Sequence, residues 1–526
     1  MSHSDFYPGG APVSVRETHT AWVFLTGERA YKVKKPVRME FLDFSTLERR
    51  RAVCFEEVRV NRELAASLHM RVRAIVARAQ SYALMDADAP DAVEYAIEMR
   101  RFDEERTMAA LVGRGELTAE QVREVAARLA AFHASTRRWC PEDPVGDVRR
   151  TCEHNFRELY ALADDATARR LLAIERFAGA FLVTHRAQIA ARAEAGFVRD
   201  GHGDLRAEHV VLEKPLAIVD RLEFDPRLRE IDVADDLAFL VMDLERLGAS
   251  GAAGELVRCY RAAAGDTGSE ALLSFYGAYR ALVRVKVALL RSAQLEEPAA
   301  VAAARAEADR LLSLAERFAW RTRGPIAVAV SGPPASGKST LAAALGRRAG
   351  WPVLSSDVLR KRRRGLPLSA VAAAEDYAPA ARAEVYRELG QMARAELSDR
   401  HSVIVDATFG EPGLRAAFVD GLGGASSLCA IECHAPAALR ERWARARTAG
   451  DARGSDAGVD VVARLGATFT GWEELDEDAI LTVRSSVDTD LLVDEIADWL
   501  DTRASVIAPH VRPLASEAGV RTSSPE

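Results

Sequence analysis

Residues 332–339 read GPPASGKS and match the pattern GxxxxGK[ST] at every fixed position. The apolar segment PIAVAVS precedes them and the segment TLAAALGRRAG follows, which is the strand–loop–helix context of a phosphate-binding P-loop. Glycines let backbone amides turn towards phosphate oxygens, and Lys338 supplies charge for the β- and γ-phosphates. Ser339 is a candidate Mg²⁺ ligand. The predicted ATP-binding residues are Gly332, Pro333, Pro334, Ala335, Ser336, Gly337, Lys338, Ser339 and Thr340.

Apolar segments alternate with helical ones after this motif, which predicts an α/β domain with a parallel sheet over residues 325–502. HSVIVDATF ends a strand at Asp406, where P-loop proteins hold Mg²⁺, although a helix cap is the alternative. VLSSDVLR ends a second strand near Asp357, and Arg360 follows one turn later. Asp357 is a candidate base for an acceptor hydroxyl, or else an N-cap, and Arg360 a candidate substrate ligand.

ALRERWARARTAG is an arginine-rich helical segment that contains Arg440, Arg442 and Arg445. Arg442 and Arg445, three residues apart, are candidates for a lid that balances charge in the transition state, and an exposed basic helix is the alternative. The basic run at residues 361–364 is interpreted as a solvated face.

Residues 325–500 resemble the AAA_33-type P-loop kinases, a set that includes gluconate-kinase-like, zeta-toxin-like and polynucleotide-kinase-like proteins. This resemblance implies nucleotide binding and leaves the acceptor open.

A second motif, GHGDLRAEHVVL followed by LAIVD, lies in the first half of the chain. Kinase-like catalytic loops read H-x-D-x-x-x-x-N and precede a strand that ends in a metal-binding Asp. His202, Asp204 and His209 have this spacing, and Asp220 ends the strand. We predict Asp204 as the base, with Asp220 and His209 as metal ligands. Imidazole is a poorer Mg²⁺ ligand than the usual asparagine oxygen, and a tight turn is the alternative interpretation.

Ala30-Tyr31-Lys32 resembles the A-x-K of a nucleotide-binding strand, so Lys32 is a candidate phosphate ligand and Lys34, on the same face, its alternative. Glu57 is the predicted partner of this lysine, with Glu56 and Glu63 as alternatives. Only ETHTAW stands where a glycine-rich loop is expected.

Residues 15–300 resemble the aminoglycoside-phosphotransferase branch of the kinase-like fold. FLDFSTLE, DVADDLAFLVMDLE and the domain order resemble one bacterial family, the bifunctional aminoglycoside phosphotransferase/ATP-binding proteins. The resemblance implies an α+β kinase-like domain over residues 13–320, with a small lobe over 13–100 and a helical lobe over 101–320, before the α/β P-loop NTPase domain. Fold does not fix substrate.

Helix signals in this half are specific enough to test. Ser45 is a plausible N-cap for the helix that follows it, and Thr118 with Gln121 forms a capping box. Asp232, Asp235 and Asp236 are expected to cap a helix and hold the catalytic loop. Another segment carries three arginines near one face, which form either an anionic pocket or a solvated stripe: Arg280, Arg284 and Arg291.

A formal net charge of −7 argues against a general affinity for nucleic acid or anionic membranes. The six cysteines form no CxxC pair, so neither a zinc site nor a disulfide framework is indicated. The N-terminus lacks signal-peptide features and no segment is long and apolar enough to span a membrane, so a cytoplasmic protein is expected. Residues 503–526 are expected to be a disordered tail.

Together these patterns predict MgATP-dependent phosphoryl transfer by the P-loop domain to a small hydroxyl-bearing molecule, with a possible second activity in the kinase-like domain. One alternative is a nucleotide-sensing regulator with a degenerate kinase-like half. Another is a nucleic-acid 5′-hydroxyl kinase, which ranks lower because few aromatic residues lie near the basic run.

Overall fold

The computed structural model describes residues 1, 6–7, 10–18, 20–39, 42–78, 81–368, 370, 373–447 and 466–507. Internal contacts divide the chain into two compact units. The kinase-like unit comprises Met1–Arg170 and Arg186–Thr322, and the P-loop unit comprises Leu171–His185 and Arg323–Glu526. The domain limits drawn from sequence place Leu171–His185 with the first domain instead.

An antiparallel six-stranded sheet forms the small lobe, in the order β1-β2-β3-β8-β6-β7. The strands β2 and β3 form an antiparallel hairpin that turns at Gly27. The helix α1 packs on β6 and β8 through buried side chains such as Cys54 and Ile97. The elements are Val13–Glu17 (β1), Ala21–Thr26 (β2), Arg29–Lys34 (β3), Arg38–Met39 (β4), Leu42–Asp43 (β5), Leu47–Asn61 (α1), Arg71–Arg78 (β6), Ser81–Asp86 (β7) and Ala92–Arg100 (β8).

The helical lobe is built around long amphipathic helices, interrupted by a few two- and three-residue strands. Its helices are Met108–Gly113 (α2), Ala119–Ser135 (α3), Pro144–Leu162 (α4), Asp165–Thr184 (α5), Arg186–Glu194 (α6), Val233–Arg246 (α7), Ser250–Ala264 (α8), Glu270–Gln294 (α9) and Pro298–Arg321 (α10). Its strands are Val198–Asp200 (β9), Val210–Val211 (β10), Ala217–Ile218 (β11) and Glu230–Asp232 (β12).

Two of the predicted helix starts can be compared with the structure. The Thr118–Gln121 capping box of α3 is confirmed, with both reciprocal hydrogen bonds formed. The prediction of Ser45 as the N-cap of α1 is wrong by one residue. Thr46 is the N-cap and accepts from the Arg49 amide, while the Ser45 hydroxyl donates to Asp43.

The P-loop unit contains a five-stranded sheet in the order β14-β15-β13-β16-β17, and every pair is parallel. The strands are Ala327–Ser331 (β13), Val353–Ser355 (β14), Val403–Asp406 (β15), Leu428–His434 (β16) and Ile480–Arg484 (β17). The helices are Lys338–Ala349 (α11), Ser356–Arg363 (α12), Pro379–Ser398 (α13), Pro412–Leu422 (α14), Ala437–Arg447 (α15) and Thr489–Ile507 (α16).

The fold class is therefore as predicted: an α+β kinase-like domain followed by an α/β P-loop domain with a parallel sheet. The last helix continues to Ile507, beyond the predicted start of the tail at residue 503. Residues 508–526 lie outside the described part of the chain. None of the helices that the structure describes is long and apolar enough to cross a bilayer.

Candidate functional site

The P-loop, residues 332–337 between β13 and α11, adopts a backbone that depends on two glycines. Gly332 has φ +145°, and a Cβ there would lie 2.6 Å from the Ser336 Oγ and 2.7 Å from the Cys433 carbonyl oxygen. Gly337, the N-cap of α11, has φ +89°. Because neither position tolerates a side chain, the backbone can turn closely around an anion.

The residues of this loop fit the triphosphate of a nucleotide. The Ser336 Oγ is buried and has no hydrogen-bond partner among the described residues. Lys338, Ser339 and Thr340 form the first turn of α11, where free amides and the helix dipole favour an anion. Lys338 would contact the phosphates and Ser339 would bind Mg²⁺, which neutralises phosphate charge. The remaining predicted loop residues are buried: Pro333, Pro334 and Ala335.

Two predicted aspartates lie at the carboxyl edge of the same sheet. Asp406 is the last residue of β15, is buried, and pairs in register with Val330 of the neighbouring β13. Asp357 is the second residue of α12, directly after β14, which lies on the other side of β15. The N-cap of α12 is Ser355, so Asp357 does not cap the helix. Parallel strands bring their carboxyl ends to one edge, which is where α/β proteins bind ligands.

Asp357 and Arg360 form an ion pair of 2.5 Å within α12. Arg360 is buried, and its guanidinium lies 4.5 Å from the ring centroid of Tyr377. The Arg360 Nε atom is buried without a hydrogen-bond partner in the described part of the chain. The predicted base and the predicted substrate ligand are thus held together, with one guanidinium N–H still available.

The interpretation of residues 361–364 as a solvated face is wrong for Lys361. This side chain is buried and its Nζ atom donates to the Leu368 carbonyl oxygen at 2.9 Å. Arg363 and Arg364 are paired with acidic side chains, Arg364 with Asp376 at 2.6 Å. Two of the four charges in this run are therefore balanced by acidic side chains.

The predicted lid arginines lie on α15, which follows β16. Arg442 and Arg445 are exposed, and Arg445 pairs with Glu441 at 3.5 Å. Arg440 is half-buried, and its Nε and Nη1 atoms have no hydrogen-bond partner within the described ranges. A Cβ on Gly337 would lie 3.7 Å from the Trp443 ring, so this helix approaches the P-loop.

In the kinase-like unit, Lys32 lies between two of the predicted carboxylates. Its Nζ atom is 2.9 Å from the Glu57 Oε1 atom and 2.8 Å from the Asp220 Oδ1 atom. The alternative lysine, Lys34, is buried between Glu57 and Glu223, at 2.5 Å from each. The charge of Lys32 is the main cause that holds the pKa of Asp220 far below its usual range.

The other two candidate glutamates pair elsewhere. Glu56 binds Arg59, and Glu63 lies 3.1 Å from the Arg221 guanidinium. Within ETHTAW, Thr18 and Ala21 exchange hydrogen bonds between the end of β1 and the start of β2, and His19 lies outside the described residues.

Hydrogen bonds between its own side chains hold the loop that carries Asp204. Arg206 donates from Nε and Nη2 to the two carboxylate oxygens of Asp204, at 3.0 and 2.9 Å. Burial, the largest single cause, would raise the pKa of Asp204, but the nearby positive charges and hydrogen bonds, led by the charge of Arg206, together lower that pKa to about 2. His209 contacts the backbone of the same residue, since its Nδ1 atom lies 2.8 Å from the Asp204 carbonyl oxygen.

Aspartates of α7 hold this loop from behind, as the sequence predicts. Asp236 accepts from the amides of His202 and Gly203, at 2.6 and 2.9 Å. Asp235 binds Arg280 of α9 through both oxygens at 2.7 Å, and Arg280 donates to the Gly203 carbonyl oxygen. The backbone of this loop is therefore fixed by two buried carboxylates and one arginine.

Sequence reasoning missed Arg206 and Glu223, and it misjudged Arg280. Arg206 could have been found because it lies two residues after Asp204 in an extended loop, where side chains share a face. The described residues contain no group of three or more His, Cys, Asp or Glu side chains that could hold a metal ion. A Mg²⁺ ion would then take most of its ligands from phosphates and water.

Residues 328–472 match the family AAA_33, described as an AAA domain. Over 471 residues, the chain is 34% identical to "Uncharacterized protein Rv2004c" of Mycobacterium tuberculosis (strain ATCC 25618 / H37Rv), covering 88% of this chain and 91% of that protein. The "Uncharacterized protein Mb2027c" of Mycobacterium bovis matches with the same values.

Solved structures match each half at low similarity. A thermostable mutant of aminoglycoside phosphotransferase APH(4)-Ia has 14% identity and a TM-score of 0.36, covering 57% of this chain and 94% of that one. A gluconokinase from Sinorhizobium meliloti 1021 has 19% identity and a TM-score of 0.26, covering 36% of this chain and 98% of that one. Scores this low carry no argument about function.

Proposed function

We propose a function on the premise that this chain belongs to the family of the mycobacterial protein Rv2004c, with which it aligns over most of both chains. The P-loop unit transfers a phosphoryl group from MgATP to a hydroxyl of a small molecule. Within that family, the chain is a member of the bifunctional aminoglycoside phosphotransferase/ATP-binding proteins, and its kinase-like unit is a second nucleotide site.

The observation that carries this proposal is the shared edge of the P-loop sheet. The loop after β13, Asp406 at the end of β15 and Asp357 after β14 all lie at the carboxyl ends of adjacent parallel strands. Lys338 and Ser339, which follow β13 in the first turn of α11, bind the phosphates and Mg²⁺, while Asp357, which follows β14 two strands away, receives the acceptor hydroxyl. A kinase needs this separation between donor and acceptor residues along one edge.

Residues around Asp357 support a small acceptor. The buried guanidinium of Arg360 keeps one N–H without a partner among the described residues, and the Tyr377 ring lies against it. Arg363 and Arg364 are paired with acidic side chains, which reduces the charge that this run offers to a polynucleotide backbone. These contacts favour a small polar molecule over a nucleic-acid 5′-hydroxyl.

The test measures Mg²⁺-dependent ATP consumption with a panel of sugars, sugar acids, aminoglycosides and 5′-hydroxyl oligonucleotides. The proteins are the wild type, Lys338→Ala, Asp357→Asn and Asp204→Ala. We expect one acceptor class to stimulate turnover, and Lys338→Ala and Asp357→Asn to abolish that stimulation while Asp204→Ala retains it. Stimulation that survives Lys338→Ala contradicts the assignment to the P-loop unit.

A regulatory function is the second candidate, and the bonds of Asp204 favour it. Both oxygens of this predicted base are bound by Arg206, which weakens its basicity. If ATP binds and no acceptor stimulates turnover, the chain is a nucleotide sensor, and protein partners become the object of study.

A further inference from the structure

The guanidinium of Arg206 is fixed at the centre of the catalytic loop of the kinase-like unit. Its Nε and Nη2 atoms bind Asp204, and Nη2 also lies 3.0 Å from the His209 Nε2 atom. Its Nη1 atom binds Glu208. Four of the five guanidinium N–H groups are thus used by three neighbours, and only 13% of the side chain is exposed.

These contacts define the tautomer of His209. A carbonyl oxygen can only accept, so the Nδ1 atom, 2.8 Å from the Asp204 carbonyl oxygen, carries the proton. The Nε2 atom then has the lone pair, and it accepts from Arg206. Both ring nitrogens are occupied, so His209 does not fit the metal-ligand role that the sequence predicts for it.

Asp220 is exposed enough to bind a metal ion. Its carboxylate is half-exposed, its Oδ1 atom binds Lys32 at 2.8 Å, and its Oδ2 atom lies 3.9 Å from the His209 Nε2 atom, beyond hydrogen-bond distance. Protein kinases hold two Mg²⁺ ions, one through this aspartate and one through the catalytic-loop asparagine. Here the asparagine position is filled by a histidine that is bonded to a fixed cation.

We propose that the kinase-like unit binds a nucleoside triphosphate with one divalent cation, held at Asp220, because Arg206 occupies the lone pair of His209 that a second cation would need. This inference rests on the part of the proposed function that gives the kinase-like unit a nucleotide site.

The experiment counts bound cations and needs no turnover. The full chain carries Lys338→Ala and Ser339→Ala, which silence the P-loop site, and is titrated with Mn²⁺ and the non-hydrolysable analogue AMP-PNP while electron paramagnetic resonance reports bound Mn²⁺. We expect one Mn²⁺ per bound analogue. Adding Asp220→Asn should reduce the count to zero, and adding Arg206→Ala with His209→Asn should raise it to two.

Two Mn²⁺ ions bound while Arg206 is intact would overturn the inference, and so would a count that stays at one after both loop substitutions. The titration of the silenced chain with an intact Arg206 tests the inference even where the loop variant fails to fold. If the silenced chain binds no analogue, the inference fails, whereas the P-loop proposal is tested separately by the Lys338-dependent binding of the chain with an intact P-loop.

Discussion

At Gly332 a single hydrogen atom in place of a side chain decides whether the loop can form. The φ of +145° is open to glycine, and a Cβ would press on the backbone oxygen of Cys433 at 2.7 Å, which cannot rotate away. The motif predicts this glycine, and the clash shows why it is needed.

Gly332→Ala should therefore abolish nucleotide binding by the P-loop unit while leaving its secondary structure intact. The matched control is Gly413→Ala in α14, where a Cβ meets nothing within 4 Å. Equilibrium binding of a fluorescent ATP analogue measures the effect. Equal affinity in the two variants would show that this backbone is not the phosphate site.

His202 is a buried residue whose charge matters to stability. Its ring is fully buried and its Nε2 atom lies 2.9 Å from the Val219 carbonyl oxygen. Burial, the largest cause, lowers the pKa of His202 from 6.5 to about 4. The unfolded chain therefore takes up a proton between about pH 6.5 and 4 that the folded chain refuses, so stability falls as pH decreases through this range.

We expect the kinase-like unit to lose about 2–3 kcal/mol of unfolding free energy through His202 between pH 7 and 4.5. His202→Gln keeps a donor and an acceptor and removes the titration, so its loss over the same range should be smaller by that amount. Urea unfolding followed by circular dichroism at both pH values measures this. The same pH dependence in both proteins would contradict the assignment.

At the scale of the element, α9 carries one buried and one exposed arginine that the sequence places near the same helical face. Arg280 is buried and joins α7 to the loop that carries Asp204, through Asp235 and the Gly203 carbonyl oxygen. Arg291, three turns later, is exposed. Sequence periodicity groups these arginines because it reports only the helical face, and it does not show which part of that face another helix covers.

Arg280→Ala leaves the Asp235 carboxylate buried without its partner, which should cost about 3–5 kcal/mol. Arg291→Ala removes the same charge from the same helix and should change stability by less than about 0.5 kcal/mol. Chemical unfolding of the two variants measures the difference. Similar values for both would show that the Asp235 pair does not stabilise the loop.

The sequence predicts those elements whose signals are local. The alternation of strands and helices correctly predicts the parallel sheet of the P-loop unit, and the Thr118–Gln121 box correctly predicts the start of α3. The cap of α1 falls on Thr46 instead of Ser45, since adjacent hydroxyl residues give the same local signal.

Of the site residues that the sequence misses, Glu223 depends on a contact between distant segments. Glu223 reaches Lys34 across 189 positions of the chain, and no local pattern records that contact. Lys361 looks solvated within its basic run, yet tertiary packing buries it against the Leu368 carbonyl group. Motifs therefore predict which chemistry is present, and packing decides which charges remain available.

At the scale of the whole molecule, the helix α5 is divided between the two units. The segment Leu171–His185, which includes the second part of α5, belongs by its contacts to the P-loop unit, although it lies within the predicted first domain. Phe177 of this segment is buried, and the guanidinium of Arg323 lies 5.1 Å from its ring centroid. The P-loop unit thus includes residues from two separate parts of the chain.

Phe177→Ala should lower the stability of the P-loop unit by about 3–5 kcal/mol, because it leaves a cavity. Leu172→Ala, on the same helix but with 49% of the residue exposed, should change it by less than about 0.5 kcal/mol. Calorimetry of the full chain measures both stability changes. Scans with and without MgATP identify the transition that the nucleotide stabilises. A shift confined to the other transition would contradict the assignment of this segment.

The central claim is that the P-loop unit binds MgATP through Lys338 for phosphoryl transfer. The most direct test is isothermal titration of MgATP into Lys338→Ala and into Arg347→Ala, a control that removes an exposed charge from the same helix. We expect Lys338→Ala to lack one nucleotide site that Arg347→Ala retains. Equal stoichiometry and affinity in the two variants would contradict it.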